Sequence, residues 1–357
     1  MSQLAGPGRS PIARGGRWAA LTMLAVAALA ASVTACSAPT PQVSPPPKPA
    51  EPPVVLQATQ LERILQELSA DLEKSAAESS ADPLEGRVAG AALAMVQAQL
   101  AAKAANPDEK TAFELGTRFA DGQIVARSQV WPRSFAVVTD SAETEAPFIY
   151  QLEQADARSP YKLVLWARML AGATLPPTAA AGVGSAVVDP GSPDLQVTPI
   201  AAVQAYAAAK DDPTGDQADL FDTVLQDGVD PDSARARWTA LAQAYRGGIT
   251  QFADGQVQTS SALIEGSVSA LATADGGALV FGQVKSVMDL VATPPAGEYI
   301  DMGSQSYTGL GAQTLQMTKS ARIEHLQTVV LAVPSKDAPG SIRVIAVADL
   351  PTAVQVE

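Results

Sequence analysis

The sequence is poor in the side chains that most often carry chemistry. Its 357 residues include one cysteine, one histidine and only 5% aromatic residues. A single thiol cannot form an internal disulfide, and a single imidazole cannot supply a zinc site built from several histidines. The low aromatic content leaves little surface on which a sugar ring could stack. Thiolate chemistry, histidine-rich zinc sites and extensive sugar binding are therefore not expected.

The cysteine, Cys36, follows a segment that is typical of an export signal. The N-terminus carries Arg9, Arg14 and Arg17 and no acidic residue, and an apolar run then extends from residue 18 to about residue 31. This run is too short and too lightly flanked for a typical membrane-spanning helix. It predicts a cleaved secretory signal.

The residues before the cysteine specify the kind of signal. Val33-Thr34-Ala35-Cys36 fits the pattern [LVI]-[ASTVI]-[GAS]-C and resembles the bacterial lipoprotein signal. It predicts cleavage between Ala35 and Cys36 and a thioether-linked diacylglyceryl group on the cysteine. Two acyl chains such as palmitate anchor a protein stably, since each buried CH₂ contributes about 0.8 kcal/mol. The alternatives are a plain signal peptide with Cys36 as a spectator, and an uncleaved anchor.

The charge balance bears on possible partners. The chain has 24 basic and 37 acidic residues, a net charge of -13, and removal of the three N-terminal arginines leaves 21 against 37, or -16. Such an acidic surface repels nucleic acid and anionic head groups. We expect no nucleic-acid partner, and contact with the membrane only through the lipid on Cys36, at the outer face of the cytoplasmic membrane.

Composition divides the chain into five segments. Proline is dense after the cysteine, which favours an extended tether, and a second stretch rich in Ala, Gly and Pro occurs near the middle of the chain. The predicted segments are a signal peptide (1–35), a lipidated cysteine with a Pro-rich tether (36–53), a first α+β domain (54–177), a linker (178–196) and a second α+β domain (197–357).

Helices are predicted at the start of each domain. Thr59-Gln60-Leu61-Glu62 is a capping-box pattern, and an apolar stripe at helical spacing follows. A second helix is predicted over about 88–104. In the second domain, Thr198 as N-cap and Pro199 at the first helical position predict a helix to about Lys210, and another ends at Gly247-Gly248. The members of the stripe are Leu61, Ile64, Leu65, Leu68 and Leu72.

Strands are predicted after the helices of each domain, separated by turn signals. The predicted strands are 123–130, 134–139, 148–152 and 161–167 in the first domain, and 250–258, 261–272, 277–287, 320–333 and 341–347 in the second. Helices followed by an antiparallel meander predict an α+β fold with helices packed on a curved sheet.

The two halves also echo each other. The segment 119–124 (FADGQI) matches 252–257 (FADGQV), and 162–167 (KLVLWA) is similar to 343–348 (RVIAVA). A weaker counterpart relates 135–140 to 269–275. This organisation resembles uncharacterised actinobacterial surface lipoproteins with two domains of the nuclear-transport-factor-2 and cystatin-like type. The resemblance implies a duplicated cone-shaped fold, and it brings no catalytic motif.

The candidate chemical groups are few. His325 lies beside Glu324 on a predicted strand, where neighbours point to opposite faces, so the two are not expected to form a dyad. We expect His325 to be a half-exposed strand residue. Ser159-Pro160-Tyr161-Lys162 matches Ser-x-x-Lys but lacks the helix that this motif needs. Trp166 is predicted to be a core residue, with contact to a cavity ligand as the alternative.

Two acidic stretches lack the spacing of a calcium loop and are interpreted as solvated turns and as acidic residues at helix N-termini. Their members are Asp211, Asp212, Asp216 and Asp219 in one, and Asp227, Asp230 and Asp232 in the other. Gly182-Val183-Gly184-Ser185 has no helix after it and is not a phosphate loop. No catalytic residue, metal site or cofactor site is predicted.

These observations favour a lipid-anchored, non-catalytic binding or scaffold protein. Two alternatives stay open. The first is a carrier of an apolar ligand, which requires a cavity between helices and sheet. The second is a cavity enzyme of the nuclear-transport-factor-2-like type, which requires a buried Asp with a raised pKa beside a Tyr or Arg.

Overall fold

Helices flank a large sheet in the computed structural model, and five of them lie within its described residues. It describes residues 51–108, 115–120, 123–140, 146–212, 215–221 and 234–357. The helices are α1 (Ala58–Glu78), α2 (Gly90–Ala105), α3 (Pro199–Asp211), α4 (Ala234–Ile249) and α5 (Ser306–Gly309), with 3₁₀ turns at Asp82–Leu84 and Ala218–Leu220. None of the helices in these ranges is long and apolar enough to cross a membrane. Cys36 and the whole predicted signal and most of the tether lie outside the described residues.

The strands follow the helices in both halves of the chain. They are β1 (Ile124–Arg127), β2 (Arg133–Val138), β3 (Phe148–Gln154), β4 (Lys162–Met169), β5 (Ser185–Ala186), β6 (Gln256–Leu263), β7 (Ser269–Ala272), β8 (Ala278–Val291), β9 (Ile300–Asp301), β10 (Gln316–Met317), β11 (Ser320–Val333) and β12 (Arg343–Val356). The mixed α+β class predicted from the sequence is confirmed.

The predicted apolar stripe of α1 faces the core, and all five of its members are buried. The start of the helix differs from the prediction. The N-cap is Gln57, and its backbone N–H donates to Gln60 Oε1 at 3.1 Å. The Thr59–Glu62 capping box is therefore wrong by two residues. The start of α3 is as predicted, with Pro199 at the first position and Thr198 Oγ1 accepting from the Ala201 N–H at 3.2 Å.

One sheet contains the strands of both halves. Its order is β5-β1-β2-β3-β4-β12-β11-β8-β6, with β7 also paired to β8, while β9 and β10 form a separate pair. The halves meet where β12 runs antiparallel to β4, with Ala346 opposite Met169 and Val347 opposite Arg168. The expectation of two tandem domains, each with its own sheet, is not confirmed. The predicted linker 178–196 contributes β5, which pairs in parallel with β1.

The centre of this sheet is covered on both faces. Along β11, Val330 and Ala332 belong to one apolar cluster, whereas Val329, Leu331 and Val333 belong to another. Successive strand residues point to opposite faces, so the two clusters lie on opposite sides of the sheet. Burial on both faces explains why 329–333 is a continuous apolar run in the sequence, without alternation.

Helix α3 lies very close to the sheet at Gly282 of β8. A Cβ atom added to this glycine would lie 2.6 Å from Cγ2 of Val203. Such a separation is well inside van der Waals contact, so a side chain at 282 would force the helix away from the sheet. The absence of a side chain at Gly282 therefore allows α3 to pack this closely on the sheet. Helix α3 also carries the central residue of the site described next.

Candidate functional site

A row of polar residues crosses the sheet between two apolar clusters. Ser261 on β6 is in register with Ser286 on β8, and Ser286 is in register with His325 on β11. Asp349 on β12 completes the row, because its Oδ1 lies 2.8 Å from His325 Nδ1. Val284 and Val329 belong to the cluster on one side of the row, and Met288 and Ile323 to the cluster on the other.

Lys210 reaches this row from the last turn of α3. Its side chain is fully buried, and its Nζ lies 2.6 Å from Ser286 Oγ and 3.8 Å from Asp349 Oδ2. The same Nζ lies 3.6 Å from the centre of the Trp238 ring of α4, in the arrangement of a cation–π contact. We call Lys210, Ser286, His325 and Asp349 the ionic cluster.

The hydrogen bonds from Lys210 run in one direction toward the surface. An ammonium only donates, so Lys210 donates to Ser286 Oγ. Ser261 Oγ donates to Asp211 Oδ1 at 2.8 Å, which leaves Ser286 as the donor to Ser261 at 2.8 Å. The backbone N–H of Ser261 also donates to Asp211. Two hydroxyls thus connect the buried cation to a carboxylate at the end of α3.

Burial and charge act in opposite directions on the two ionised residues. Desolvation lowers the pKa of Lys210 to about 8, although Asp349 and Asp211 act to raise it. Desolvation raises the pKa of Asp349, but the charges of Lys210 and His325 and the hydrogen bonds from His325 and Gln327 outweigh it and hold this pKa well below its ordinary value. At neutral pH the cluster therefore contains an ammonium and a carboxylate.

Asp349 has its two oxygens occupied by different side chains. His325 donates to Oδ1 through Nδ1, because a carboxylate only accepts, and Gln327 Nε2 donates to Oδ2 at 2.5 Å. Three atoms around the cluster are buried without a hydrogen-bond partner, namely His325 Nε2, Gln327 Oε1 and Trp238 Nε1. Each carboxylate oxygen thus has a hydrogen-bond partner, and the buried atoms without a partner lie on the neighbouring side chains.

A groove of about 760 Å³ opens beside the cluster, between α3 and β6. Its lining is mostly apolar, and Ser261 is the residue that it shares with the row of polar residues. The lining residues are Pro190, Ile200, Gln204, Ala207, Ala208, Ser261, Ala262, Leu263, Glu265, Gly266 and Val268. Strand β6 is the last strand of the sheet, so the groove follows a sheet edge.

The structure places His325 differently from the prediction. His325 is buried at 7% exposure rather than half-exposed, and Glu324 points away from it and pairs with Lys285 at 2.7 Å. The two do not form a dyad, as expected, but His325 forms one with Asp349, which is far away in sequence. Sequence reasoning missed Lys210, Ser286 and Asp349 altogether. A signal existed, since His325 and Gln327 occupy inward positions between Ile323 and Val329.

The other candidates are placed largely as expected. Trp166 is fully buried, with Nε1 3.4 Å from the Ala92 carbonyl oxygen, and so is a core residue. Ser159 lies in a turn and Lys162 begins β4, so Ser-x-x-Lys has no helix. Asp211 was expected in a solvated turn, which is wrong, because it ends α3 and accepts hydrogen bonds from Ser261. Asp227, Asp230, Asp232, Ala35 and Cys36 lie outside the described residues. In the described ranges no group of three or more His, Cys, Asp and Glu side chains could hold a metal ion.

Comparison with known proteins identifies no relative. No family model, curated protein or solved structure matches this chain.

Proposed function

We propose that this chain is a lipid-anchored extracytoplasmic binding protein. The anchor is a diacylglyceryl group on Cys36, after cleavage at Ala35, which holds the protein at the outer face of the bacterial cytoplasmic membrane. The Val33-Thr34-Ala35-Cys36 motif and the three preceding arginines support this anchor. A chain with a single exported cysteine would otherwise carry an unpaired thiol, which acylation removes.

The groove between α3 and β6 is the proposed ligand site. The observation that carries this assignment is its lining, in which Ile200, Ala207 and Ala208 of one helix face Leu263 and Val268 across about 760 Å³. Ile200 is 37% exposed, although it is a large apolar side chain. Concave, mostly apolar surfaces with a few polar groups are typical of ligand sites. The ligand is therefore proposed to carry an apolar portion.

A non-catalytic role is favoured over a cavity enzyme. Lys210 and Ser286 are 1% and 0% exposed, so a substrate in the groove would not reach them. The cavity enzyme requires an Asp with a raised pKa, whereas the pKa of Asp349 is lowered. The ionic cluster is instead proposed to fix α3 against β8 and so to hold one wall of the groove in place.

We also propose that the two halves of the chain are related by an internal duplication. Each half has two helices followed by a four-stranded meander, β1-β2-β3-β4 in one and β6-β8-β11-β12 in the other. The FADGQ echo precedes β1 and β6, and the echo of 162–167 in 343–348 relates β4 to β12, the two strands that meet at the centre. The weaker sequence echo relates β2 to β7. The order of strands in the sheet, however, makes β8 the equivalent of β2. Relationship to nuclear-transport-factor-2-like lipoproteins is proposed on the same basis.

Metabolic labelling tests the anchor. Cells that express the full chain are grown with a clickable fatty acid, and we expect label on the wild-type protein and none on Cys36→Ala. The variant is also expected to leave the membrane fraction. Label that persists in Cys36→Ala would refute the assignment.

A fluorescent fatty-acid analogue tests the groove. Ala208 is exposed in the groove, and Ala70 is an exposed alanine of α1 outside it. Ala208→Trp is expected to weaken binding of the analogue at least tenfold, and Ala70→Trp to leave it unchanged. Absence of saturable binding to the wild type, or equal effects of both substitutions, would overturn the groove assignment.

A further inference from the structure

Four arginines from separate parts of the chain line one pocket in the first half. Arg63 lies on α1, Arg87 between the first 3₁₀ turn and α2, Arg133 at the start of β2, and Arg158 in the turn between β3 and β4. The pocket has a volume of about 470 Å³. We call it the arginine pocket. It lies outside the groove and shares no residue with it.

The charge of the arginine pocket is opposite to that of the chain. The acidic residue in its lining is Glu67, which forms an ion pair with Arg87. In the part of the chain that the structure describes, no ion pair involves Arg63, Arg133 or Arg158. Three guanidinium groups are thus left without a carboxylate in a chain with a net charge of -13. Like charges repel, so we expect a bound anion to stabilise this concentration of positive charge.

One nearby carboxylate is already in use. Asp156 accepts hydrogen bonds from the backbone N–H groups of Arg158 and Ser159 and from the Ser159 hydroxyl. These bonds, first that from Arg158 and then that from the Ser159 side chain, lower the pKa of Asp156. Asp156 therefore holds the turn that carries Arg158 and leaves the Arg158 guanidinium available.

Two buried polar groups of the pocket lack partners. Arg133 Nε and Tyr161 Oη are both buried without a hydrogen bond. Tyr161 is 5% exposed, and its ring packs edge-on against Phe135 at 5.3 Å, which fixes the position of the hydroxyl. Burial raises the pKa of Tyr161 to about 12, so the hydroxyl is a donor at neutral pH. An unmade hydrogen bond at a buried group is unfavourable, and a bound acceptor would remove this penalty.

Trp131 orients one of the arginines. The Arg133 Cζ atom lies 4.3 Å from the centre of the Trp131 ring, and 39% of Trp131 is exposed. Stacking holds the flat guanidinium in one plane, which reduces the entropy lost when it binds an oxyanion. The exposed tryptophan is also a fluorescent reporter at the edge of the pocket.

We propose that the arginine pocket binds a phosphate group. Guanidinium groups match phosphate oxygens in paired hydrogen bonds, and three of them with a phenol hydroxyl provide more donors than one carboxylate can accept. The source is either a soluble phosphate compound or the head group of a phospholipid. Val55 and Leu56, which directly follow the tether, also line the pocket. A lipid head group is therefore within reach if the chain is anchored through Cys36.

Binding to two probes separates these sources. The chain from Ser37 onward contains the whole compact unit Glu51–Glu357 and needs no lipid. It is titrated with inorganic pyrophosphate while heat and tryptophan fluorescence are measured. It is also sedimented with vesicles of phosphatidylglycerol and, separately, of phosphatidylcholine. Saturable binding of pyrophosphate indicates a soluble phosphate compound, and binding restricted to phosphatidylglycerol vesicles indicates a lipid head group.

Matched arginine variants make the test specific. The double variant Arg63→Gln/Arg158→Gln is expected to weaken binding of the active probe at least tenfold. Arg246→Gln removes an exposed arginine at the end of α4 and is expected to leave binding unchanged. Urea unfolding of each variant verifies that the fold is retained. Arg133→Lys is a further variant, which keeps the positive charge but loses the paired donors of the guanidinium group. Binding to neither probe, or equal weakening by the double variant and Arg246→Gln, would overturn the proposal. The outcome is independent of the groove, since the two sites share no residue.

Discussion

The ammonium of Lys210 lies 3.8 Å from the carboxylate of Asp349, and both side chains are at most 5% exposed. Removal of one member of such a pair leaves the other as an uncompensated charge in the interior. This relationship makes the ionic cluster sensitive to substitution of either charge alone, although replacement of both charges together can be nearly neutral.

Substitution of Asp349 alone is expected to be severe. Asp349→Asn removes the counter-charge of Lys210 and should lower the free energy of unfolding by about 3–5 kcal/mol, measured by urea denaturation at pH 7. Asp337→Asn, at an exposed loop position, is the control and should change it by less than about 0.5 kcal/mol. The double variant Lys210→Met/Asp349→Asn should lose clearly less than the sum of the two single variants. Additive losses would contradict an interaction between the two residues.

Alkaline pH should stabilise the protein through Lys210. The folded pKa of about 8 lies below the ordinary value of 10.5, so between these values the unfolded chain binds more protons than the folded one. The free energy of unfolding therefore rises with pH in this window, by at most about 1.4 kcal/mol per unit from this residue. Comparison with Lys210→Met cancels the shared titration of other groups. An equal pH dependence of the two proteins from 8 to 10 would contradict the lowered pKa.

Because α3 packs closely against Gly282, a single methyl group added there should lower the free energy of unfolding. Gly282→Ala should destabilise the protein by about 1–3 kcal/mol, because its Cβ would overlap Val203 Cγ2. Gly86→Ala is the matched control, since nothing lies within 4 Å of an added Cβ there. Adding Val203→Ala to Gly282→Ala should recover part of the loss, which a double-mutant cycle of urea midpoints would show. Additive effects of Gly282→Ala and Val203→Ala would indicate that contact between these two positions does not set the position of α3.

Truncation of two tryptophans should destabilise the protein to very different extents. Trp166 is fully buried and packs at 6.1 Å against Phe148, so Trp166→Ala is expected to cost about 3–5 kcal/mol. Trp131 is 39% exposed, so Trp131→Ala should cost less than about 1 kcal/mol. Acrylamide should quench the fluorescence of Trp131 and leave that of Trp166 largely unaffected. The two signals are measured in variants that keep either Trp131 or Trp166 as the single tryptophan, with Phe at the other positions. Equal quenching in these variants would show that Trp166 is accessible.

Local elements were predictable from the sequence, because their causes are local. The stripe from Leu61 to Leu72, the Thr198-Pro199 start and the strand 320–333 all appear as predicted. Boundaries were less accurate where two signals compete. The Gly247-Gly248 stop is overridden, since α4 continues to Ile249, and the strand predicted from 250 begins at Gln256.

Long-range relationships were not predictable in the same way. Lys210 and Asp349 are 139 positions apart (349 minus 210), and nothing in the neighbourhood of either residue names the other. Their contact depends on the register of β11 against β12, which shifts between Glu324 and His325. The arginine pocket was missed for the same reason, because its four arginines come from four separate elements. The pattern and spacing of residues in the sequence indicate which face of a helix or strand a side chain occupies. Only the assembled sheet brings side chains of different elements together.

The junction of β4 and β12 has a consequence for how the two halves came to share a sheet. Two residue pairs are in register across it, which is a short edge contact for two separate molecules. Within one chain, however, the connecting segment keeps both edges at an effective concentration that is typically about millimolar. The halves also share one apolar cluster, which contains Leu163 of the first and Phe281 of the second. If the two halves arose by duplication, as proposed above, this junction is the intramolecular form of a dimer contact. If the chain were divided at 178–196, the two fragments would expose these strand edges together with the apolar residues of the shared cluster.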